Sequence, residues 1–144
     1  MAVVHLNPGP TLPVEHRKRH LALTHVFIDA ANDLDSAHIV RMLAEDVTYE
    51  SQWTQRPIRG RAAVGEFIAC KYATMRGAEG AKPSFELGYV DLPTGRDYPV
   101  ALVTQPGMRQ AFIALTASDT GQILRHDILE LVPSVESVRP GNPS

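Results

Sequence analysis

The hydrophobic residues in the first quarter of the chain recur with the period of an α-helix. They occupy positions i, i+3, i+4, i+7, i+8 and i+11 of one helical face, namely Leu23, Val26, Phe27, Ala30, Ala31 and Leu34. This pattern predicts a long first helix from about Val14 to Ala31–Asp33.

Two more helical segments follow in the first half of the chain. Asp35 or Ser36 can cap a short second helix. Its apolar face is predicted to hold Ile39, Val40 and Leu43. A third helix is predicted over residues 61–76, and Gly77 is placed to end it in the left-handed conformation. The apolar residues of the third helix are Val64, Phe67, Ile68, Tyr72 and Met75.

The period changes to two in the second half of the chain, which is typical of strands. From Pro83 onward, Phe85, Leu87 and Tyr89 alternate with polar or small residues. Three more hydrophobic runs, at 98–104, 109–117 and 122–132, are separated by the turn sequences QPGM and SDTG. One earlier strand, DVTYESQW at residues 46–53, lies between the second and third helices.

Helices near one end of the chain and strands near the other predict an α+β fold. We expect three N-terminal helices packed on one face of a strongly curved antiparallel or mixed sheet, which leaves a cone-shaped internal pocket. A single domain is predicted over residues 14–132, with flexible tails at 1–13 and 133–144 that are rich in Pro, Gly and Ser.

Composition narrows the class of partner. The 14 basic and 16 acidic side chains give a net charge of −2, so no nucleic-acid partner is expected. The single cysteine, Cys70, excludes an internal disulfide, and the spacings of a zinc site are absent. No signal peptide or membrane span is predicted. We therefore expect a soluble, cytoplasmic protein without a metal, a cofactor or a membrane partner.

Several stretches resemble the nuclear transport factor 2-like superfamily, especially its SnoaL-like and ketosteroid-isomerase-like members. The resemblance is carried by VFIDAANDLDSAHIVRMLAEDVTYES, PIRGRAAVGEFI and DTGQILRHDILEL. It covers residues 26–68 well and residues 115–131 more loosely. The resemblance implies a cone of helices on a curved sheet, and such a fold hosts many unrelated functions.

The catalytic positions that the resemblance implies are occupied by the wrong residue types for steroid isomerisation. The aspartate base of those isomerases falls on Ser51, the tyrosine on Phe27 and the protonated aspartate on Ile113. An unassisted serine is a poor base near neutral pH, and Phe and Ile donate no hydrogen bond to an oxyanion. The sequence therefore argues against that mechanism.

The epoxide-hydrolase branch of the same superfamily offers a second comparison. There Tyr49 matches the tyrosine and Ser51 the asparagine that position water, and Asp127 falls at the activating acid. The Arg–Asp pair of the preceding strand is missing, because that strand offers only Arg109. This departure argues against hydrolase activity.

Alternation along DVTYESQW predicts which side chains face the pocket. If Ser51 faces it, Tyr49 and Trp53 do too, while Glu50 and Gln52 face away. The pocket would then see a phenol, a hydroxyl and an indole. Two alternatives stay open: a packed core strand with satisfied polar tips, and a cavity plugged by Trp53.

The last strand has two possible registers, because a shift of one residue exchanges its faces. The isomerase pattern puts His126, Ile128 and Glu130 toward the cavity, and the other register puts Asp127 there. In the first register His126 and Glu130 could form an acid–base pair. The alternative is a histidine at the rim that is hydrogen-bonded to a neighbouring strand.

We predict a homodimeric protein that binds a small apolar or aromatic molecule. The predicted lining is Phe27, Tyr49, Ser51, Trp53, Phe67, Ile113, His126 and Ile128. An enzyme with this site would be of the isomerase, dehydratase or cyclase type, with His126 as acid or base and Tyr49 orienting the substrate. The competing hypothesis is a non-catalytic dimeric interaction module, plugged by Trp53, that pairs through the sheet face bearing Glu50 and Gln52.

Overall fold

The computed structural model describes residues 9–51, 56–78, 82–107, 110–130 and 139–140. Gln52, Trp53 and Arg109 lie outside these ranges, and so do the predictions that depend on them. No helix in the described ranges is long and apolar enough to cross a membrane.

The three predicted helices are present as α1 (Val14–Asn32), α2 (Ser36–Met42) and α3 (Arg61–Gly77). Asp35 caps α2, since its side chain accepts a hydrogen bond from the His38 amide at 3.1 Å. Gly60 precedes α3 with φ of 92°, a conformation that favours glycine.

Two predictions about helix ends are wrong. Leu43 does not lie on the second helix, because its backbone is already extended and it begins the next strand. Gly77 does not stop α3 in the left-handed conformation; it is the last helical residue, and Ala78 ends the helix with extended backbone. Leu43 pairs with Ile123 of the sheet, which overrides its helical propensity; nothing in the structure explains the conformation of Gly77.

The strands form one seven-stranded mixed sheet in the order β2-β1-β6-β5-β4-β3-β7. Their bounds are β1 (Leu43–Ser51), β2 (Ile58–Arg59), β3 (Ser84–Leu92), β4 (Gly95–Thr104), β5 (Ala111–Ala117), β6 (Ile123–Glu130) and β7 (Arg139–Pro140). β1 runs parallel to β6, and every other neighbouring pair is antiparallel. The predicted α+β architecture is confirmed, while the two-residue strands β2 and β7 were not predicted.

The main core lies between the helices and one face of the sheet. It includes Phe27 from α1, Ile39 from α2, Ile68 from α3, and Tyr49 and Ile123 from the sheet. The opposite face carries a second cluster around β4 and β5, and there too the apolar side chains are buried. The members of this second cluster are Val90, Leu92, Tyr98, Val100, Leu102, Phe112 and Ala114. The sheet is therefore buried on both sides near its middle.

His20 fastens α1 to the sheet. Its Nε2 accepts a hydrogen bond from the Ala117 amide at 3.1 Å, so the neutral ring carries its proton on Nδ1 and donates it to the His16 carbonyl at 3.0 Å. Burial lowers the pKa of His20 below its ordinary value. The interaction therefore depends on a neutral imidazole.

The segment before α1 approaches the turn between β3 and β4. The Gly9 amide donates to the Leu92 carbonyl at 2.8 Å, and the Arg96 amide donates to the Pro10 carbonyl at 3.1 Å. A β-carbon at Gly9 would lie 2.4 Å from the Pro93 carbonyl oxygen. Only glycine allows this close backbone contact.

Candidate functional site

A cavity of about 160 Å³ lies between α3 and the inner face of the sheet, which is the face packed against the helices. Residues Ile68, Lys71, Tyr72 and Met75 line it from α3, at the spacing i, i+3, i+4 and i+7 of one helical face. The sheet and the end of β4 contribute Tyr49, Phe85, Val103, Gln105, Ala111, Ile113, His126 and Ile128. Lys71, Met75, Val103 and Gln105 are half-buried, so the cavity is not sealed from solvent.

The alternation of β1 places Tyr49 and Ser51 on the inner side of the sheet. Both are buried, whereas Glu50 between them is exposed. Tyr49 lines the cavity; Ser51 lies one inner position farther along, beside Ile128 of β6, and does not line it. For Tyr49, Glu50 and Ser51 the inward and outward faces are therefore as the sequence pattern predicted.

The structure has the first of the two registers considered for β6. His126, Ile128 and Glu130 are buried on the inner side. Asp127 lies on the other side, where its carboxylate accepts a hydrogen bond from Arg125 at 2.9 Å. Arg125 also contacts Glu50 at 3.2 Å. The register that puts Asp127 in the cavity is thus wrong.

His126 is enclosed by aromatic rings. Its imidazole stacks on Tyr49 with ring centroids 4.5 Å apart and meets Phe27 edge-on at 5.5 Å. Only 3% of the residue is exposed, and Nδ1 has no hydrogen-bond partner among the described residues. Burial, together with the charge of Lys71, lowers the pKa of His126 to about 3. The ring is therefore neutral at physiological pH.

The predicted acid–base pair of His126 with Glu130 is not formed. The two residues are four positions apart on one strand, which separates them by roughly 13 Å at about 3.3 Å per residue. Glu130 is buried beside Ala111 and makes contacts of its own. His126 is also not at the rim, so the alternative position considered for it is wrong as well.

Lys71 was missed by the sequence analysis. Its Nζ donates a hydrogen bond to the Tyr49 hydroxyl oxygen at 3.1 Å, and it lies 5.9 Å from the Tyr49 ring centroid, at the hydroxyl end. Burial lowers the pKa of Lys71 and raises that of Tyr49 above its ordinary value. The sequence pattern contained a signal for Lys71, because this lysine lies on the apolar helical face of Ile68, Tyr72 and Met75.

The other predicted lining residues are divided between the cavity and its surroundings. Ile113 and Ile128 line the cavity. Phe27 is fully buried behind His126, and half-buried Phe67 contacts the Tyr49 ring with centroids 5.0 Å apart. Both therefore support the wall from behind. Trp53 lies outside the described residues, so its role as lining or plug stays a prediction.

No protein-family model matches the sequence, and no curated protein matches it. Solved structures do match. A SnoaL-like protein of unknown function from Burkholderia thailandensis aligns over 79% of this chain and 96% of its own, with 15% identity and a TM-score of 0.61. A nuclear transport factor 2-like protein of unknown function from Mesorhizobium loti aligns over 84% and 98%, with 15% identity and a TM-score of 0.63.

A steroid delta-isomerase from Pseudomonas aeruginosa aligns over 92% of this chain and 85% of its own, with 17% identity and a TM-score of 0.55. This chain has the nuclear transport factor 2-like fold. The resemblance noted in the sequence is thereby confirmed for the fold. At such identities the likeness carries no catalytic residue across, so the chemistry of this nuclear transport factor 2-like chain must be argued from its own cavity.

The described cavity residues combine an apolar wall with a few polar groups. These are the ammonium of Lys71, the phenols of Tyr49 and Tyr72, the amide of Gln105 and the neutral imidazole of His126. Within the ranges that the structure describes, no group of three or more His, Cys, Asp or Glu could hold a metal ion. The arrangement is suited to enclosing an apolar body and fixing one polar end of it.

Proposed function

We propose that this chain binds a small apolar or aromatic molecule in the cavity between α3 and the sheet. The observation that carries the proposal is the cavity of about 160 Å³, whose wall is mostly apolar and whose polar groups include Lys71 and Tyr49. Such a combination is the usual make-up of a ligand site. Empty apolar space in a protein interior forfeits packing energy, and a ligand would recover it.

The cavity volume sets the size of the ligand. An apolar cavity of roughly 150 Å³ admits benzene, whereas sites for drug-sized molecules have about 300–1,000 Å³. A compound with one ring and a short substituent therefore fits, and a steroid does not fit without extending through the mouth. For a ligand this small, dissociation constants on the order of 0.1–1 mM are expected.

A catalytic version of the proposal places Tyr49 and His126 at the reacting group, in a proton transfer, dehydration or cyclisation. With a pKa of about 3, His126 is a poor proton acceptor at neutral pH. Its part in such a reaction would be that of a neutral hydrogen-bonding group, while Tyr49 orients the substrate. If His126→Leu turned over a verified substrate at the wild-type rate, the role of His126 would be excluded.

The experiment that tests ligand binding uses single-ring probes and a variant in which a larger side chain fills the cavity. Toluene and fluorobenzene are titrated into the protein at up to several millimolar, and binding is followed by ligand-observed NMR and by the melting temperature. Ala111→Leu places a larger side chain in the cavity wall and should abolish binding. Ala63→Leu makes the same change on the exposed side of α3 and should leave it intact.

Saturable binding to the wild type that Ala111→Leu removes would support the proposal. Absence of binding, or binding that Ala111→Leu leaves unchanged, would refute it. The competing hypothesis of a dimeric interaction module stays a prediction. Glu50 is exposed on the outer side of the sheet, as that hypothesis requires, but it is engaged by Arg125. Sedimentation as a monomer would exclude the predicted homodimer.

A further inference from the structure

The cavity wall contains one lysine, Lys71, among mostly apolar residues. Lys71 occupies the face of α3 that Ile68, Tyr72 and Met75 share, so its stem runs along apolar surface and its Nζ lies at the cavity. Lysine is among the residues least often buried without a partner, because removing an ammonium from water is costly. A charge retained at such a position points to something that neutralises it.

Among the residues that the structure describes, none places a counter-charge in contact with Lys71. Its Nζ donates to the Tyr49 hydroxyl at 3.1 Å, and a phenol whose pKa is raised by burial stays uncharged. The ion pairs of Arg125 with Glu50 and Asp127 lie on the other side of the sheet, away from Lys71. Burial lowers the pKa of Lys71 below its ordinary value.

The Tyr49 hydroxyl is also available as a donor. Its oxygen accepts from Lys71, and the stacked His126 ring lies 4.5 Å from the Tyr49 ring with an interplanar angle of 19°. A hydroxyl proton lies close to the plane of its own ring, so it does not point at a ring stacked above that plane. Lys71 and Tyr49 therefore offer two neighbouring donors at the edge of an apolar space.

We propose that the ligand of this cavity is a small aromatic monocarboxylate, whose carboxylate accepts hydrogen bonds from Lys71 Nζ and Tyr49 Oη while its ring packs against Ile113 and Ile128. This inference rests on the proposed function and specifies its ligand class. A carboxylate has two oxygens that can accept from both donors at once, and such charge-assisted bonds are stronger than neutral ones.

Other ligand charges fit the cavity less well. A neutral compound would bring no negative charge to the ammonium of Lys71, and a cation would be repelled by it. The imidazole of His126 is neutral and adds no second positive charge. A single carboxylate therefore neutralises the charge of the described cavity residues. The predicted ligand is accordingly a monoanion of the size of benzoate.

The test compares probes of one shape and different charge. Dissociation constants of benzoate, benzamide and toluene are measured by calorimetry or NMR at pH 7. The proteins are the wild type, Lys71→Met and Lys82→Met; the last removes an exposed lysine that does not line the cavity. The wild type should bind benzoate at least tenfold more tightly than benzamide, and Lys71→Met should lose at least tenfold for benzoate while keeping toluene. Lys82→Met should match the wild type.

Each other outcome overturns the inference. Equal binding of benzoate and benzamide, or loss of benzoate and toluene together in Lys71→Met, would exclude charge recognition by Lys71 while the cavity still binds ligands. No binding of any probe would refute the proposed function and this inference with it. Tyr49→Phe provides an independent check: it keeps the ring stacked on His126 and should weaken benzoate but not toluene.

Discussion

Replacing His126 by leucine should make the protein less sensitive to acid. The folded-state pKa of about 3 lies below the ordinary value of 6.5, so the folded state binds fewer protons than the unfolded state between these values. The free energy of unfolding of the wild type therefore falls as the pH drops below 6.5, and it continues to fall until the pH approaches 3. His126→Leu lacks this proton linkage.

The magnitude follows from the size of the pKa shift. At pH 5, one and a half units below the unfolded pKa, a histidine that stays neutral in the folded state costs about 2 kcal/mol, at about 1.4 kcal/mol per unit. The residue is 3% exposed, so solvent screens this term little. The substitution also removes the buried Nδ1, which has no hydrogen-bond partner among the described residues. His126→Leu should therefore leave the free energy of unfolding unchanged or raise it even at pH 8.

Urea unfolding of both proteins at pH 8 and pH 5 measures the effect. The advantage of His126→Leu over the wild type should grow by about 2 kcal/mol between the two pH values, equivalent to roughly 4–8 °C in melting temperature. Since His20 titrates in the same direction in both proteins, its contribution cancels in the difference. His25→Leu, an exposed histidine of α1, serves as the control. Equal pH dependence of the wild type and His126→Leu would show that burial does not hold His126 neutral in the folded state.

Three further substitutions test the cavity space, the hydrogen bond of His20 and the position of Asp127. Ala111→Leu should fill cavity space and stabilise the protein by about 1 kcal/mol in urea unfolding, and a loss of stability would show that the space is not available. His20→Leu should cost about 2 kcal/mol in the same measurement at pH 7, because the buried amide of Ala117 loses its acceptor; an unchanged midpoint would contradict this. Asp127→Asn should lower the free energy of unfolding by less than about 1 kcal/mol, since its ion pair with Arg125 is partly exposed. Its affinity for toluene should equal that of the wild type, and weaker binding would place Asp127 at the cavity.

The sequence pattern was sufficient for the fold because periodicity and turn signals are local. The apolar face of α3 and the alternation of β1 are properties of a few consecutive residues, and both are as predicted. The register of β6 could not be decided in this way, because each of its faces carries both hydrophobic and charged residues. It is fixed by pairing, which sets His126 beside Tyr49 of β1 and Leu115 of β5.

The candidate site was predicted only in part for a similar reason. Tyr49, Ile113, His126 and Ile128 line the cavity as expected. Lys71 was missed because a hydrophobic pattern counts a lysine as surface, although its position on the helical face of Tyr72 and Met75 indicated that it points inward. His126 and Glu130 were predicted to pair because they share a face of the strand. Their separation of four residues along that strand is too large for such a pair.

A crystal structure of the protein soaked with bromobenzoate is the sharpest test of carboxylate binding by Lys71, because the anomalous scattering of bromine distinguishes the ligand from ordered solvent. We expect a bromine signal within the cavity between α3 and the sheet, with the carboxylate within hydrogen-bond distance of Lys71 Nζ and Tyr49 Oη. An empty cavity, or a carboxylate directed away from Lys71, would contradict this expectation.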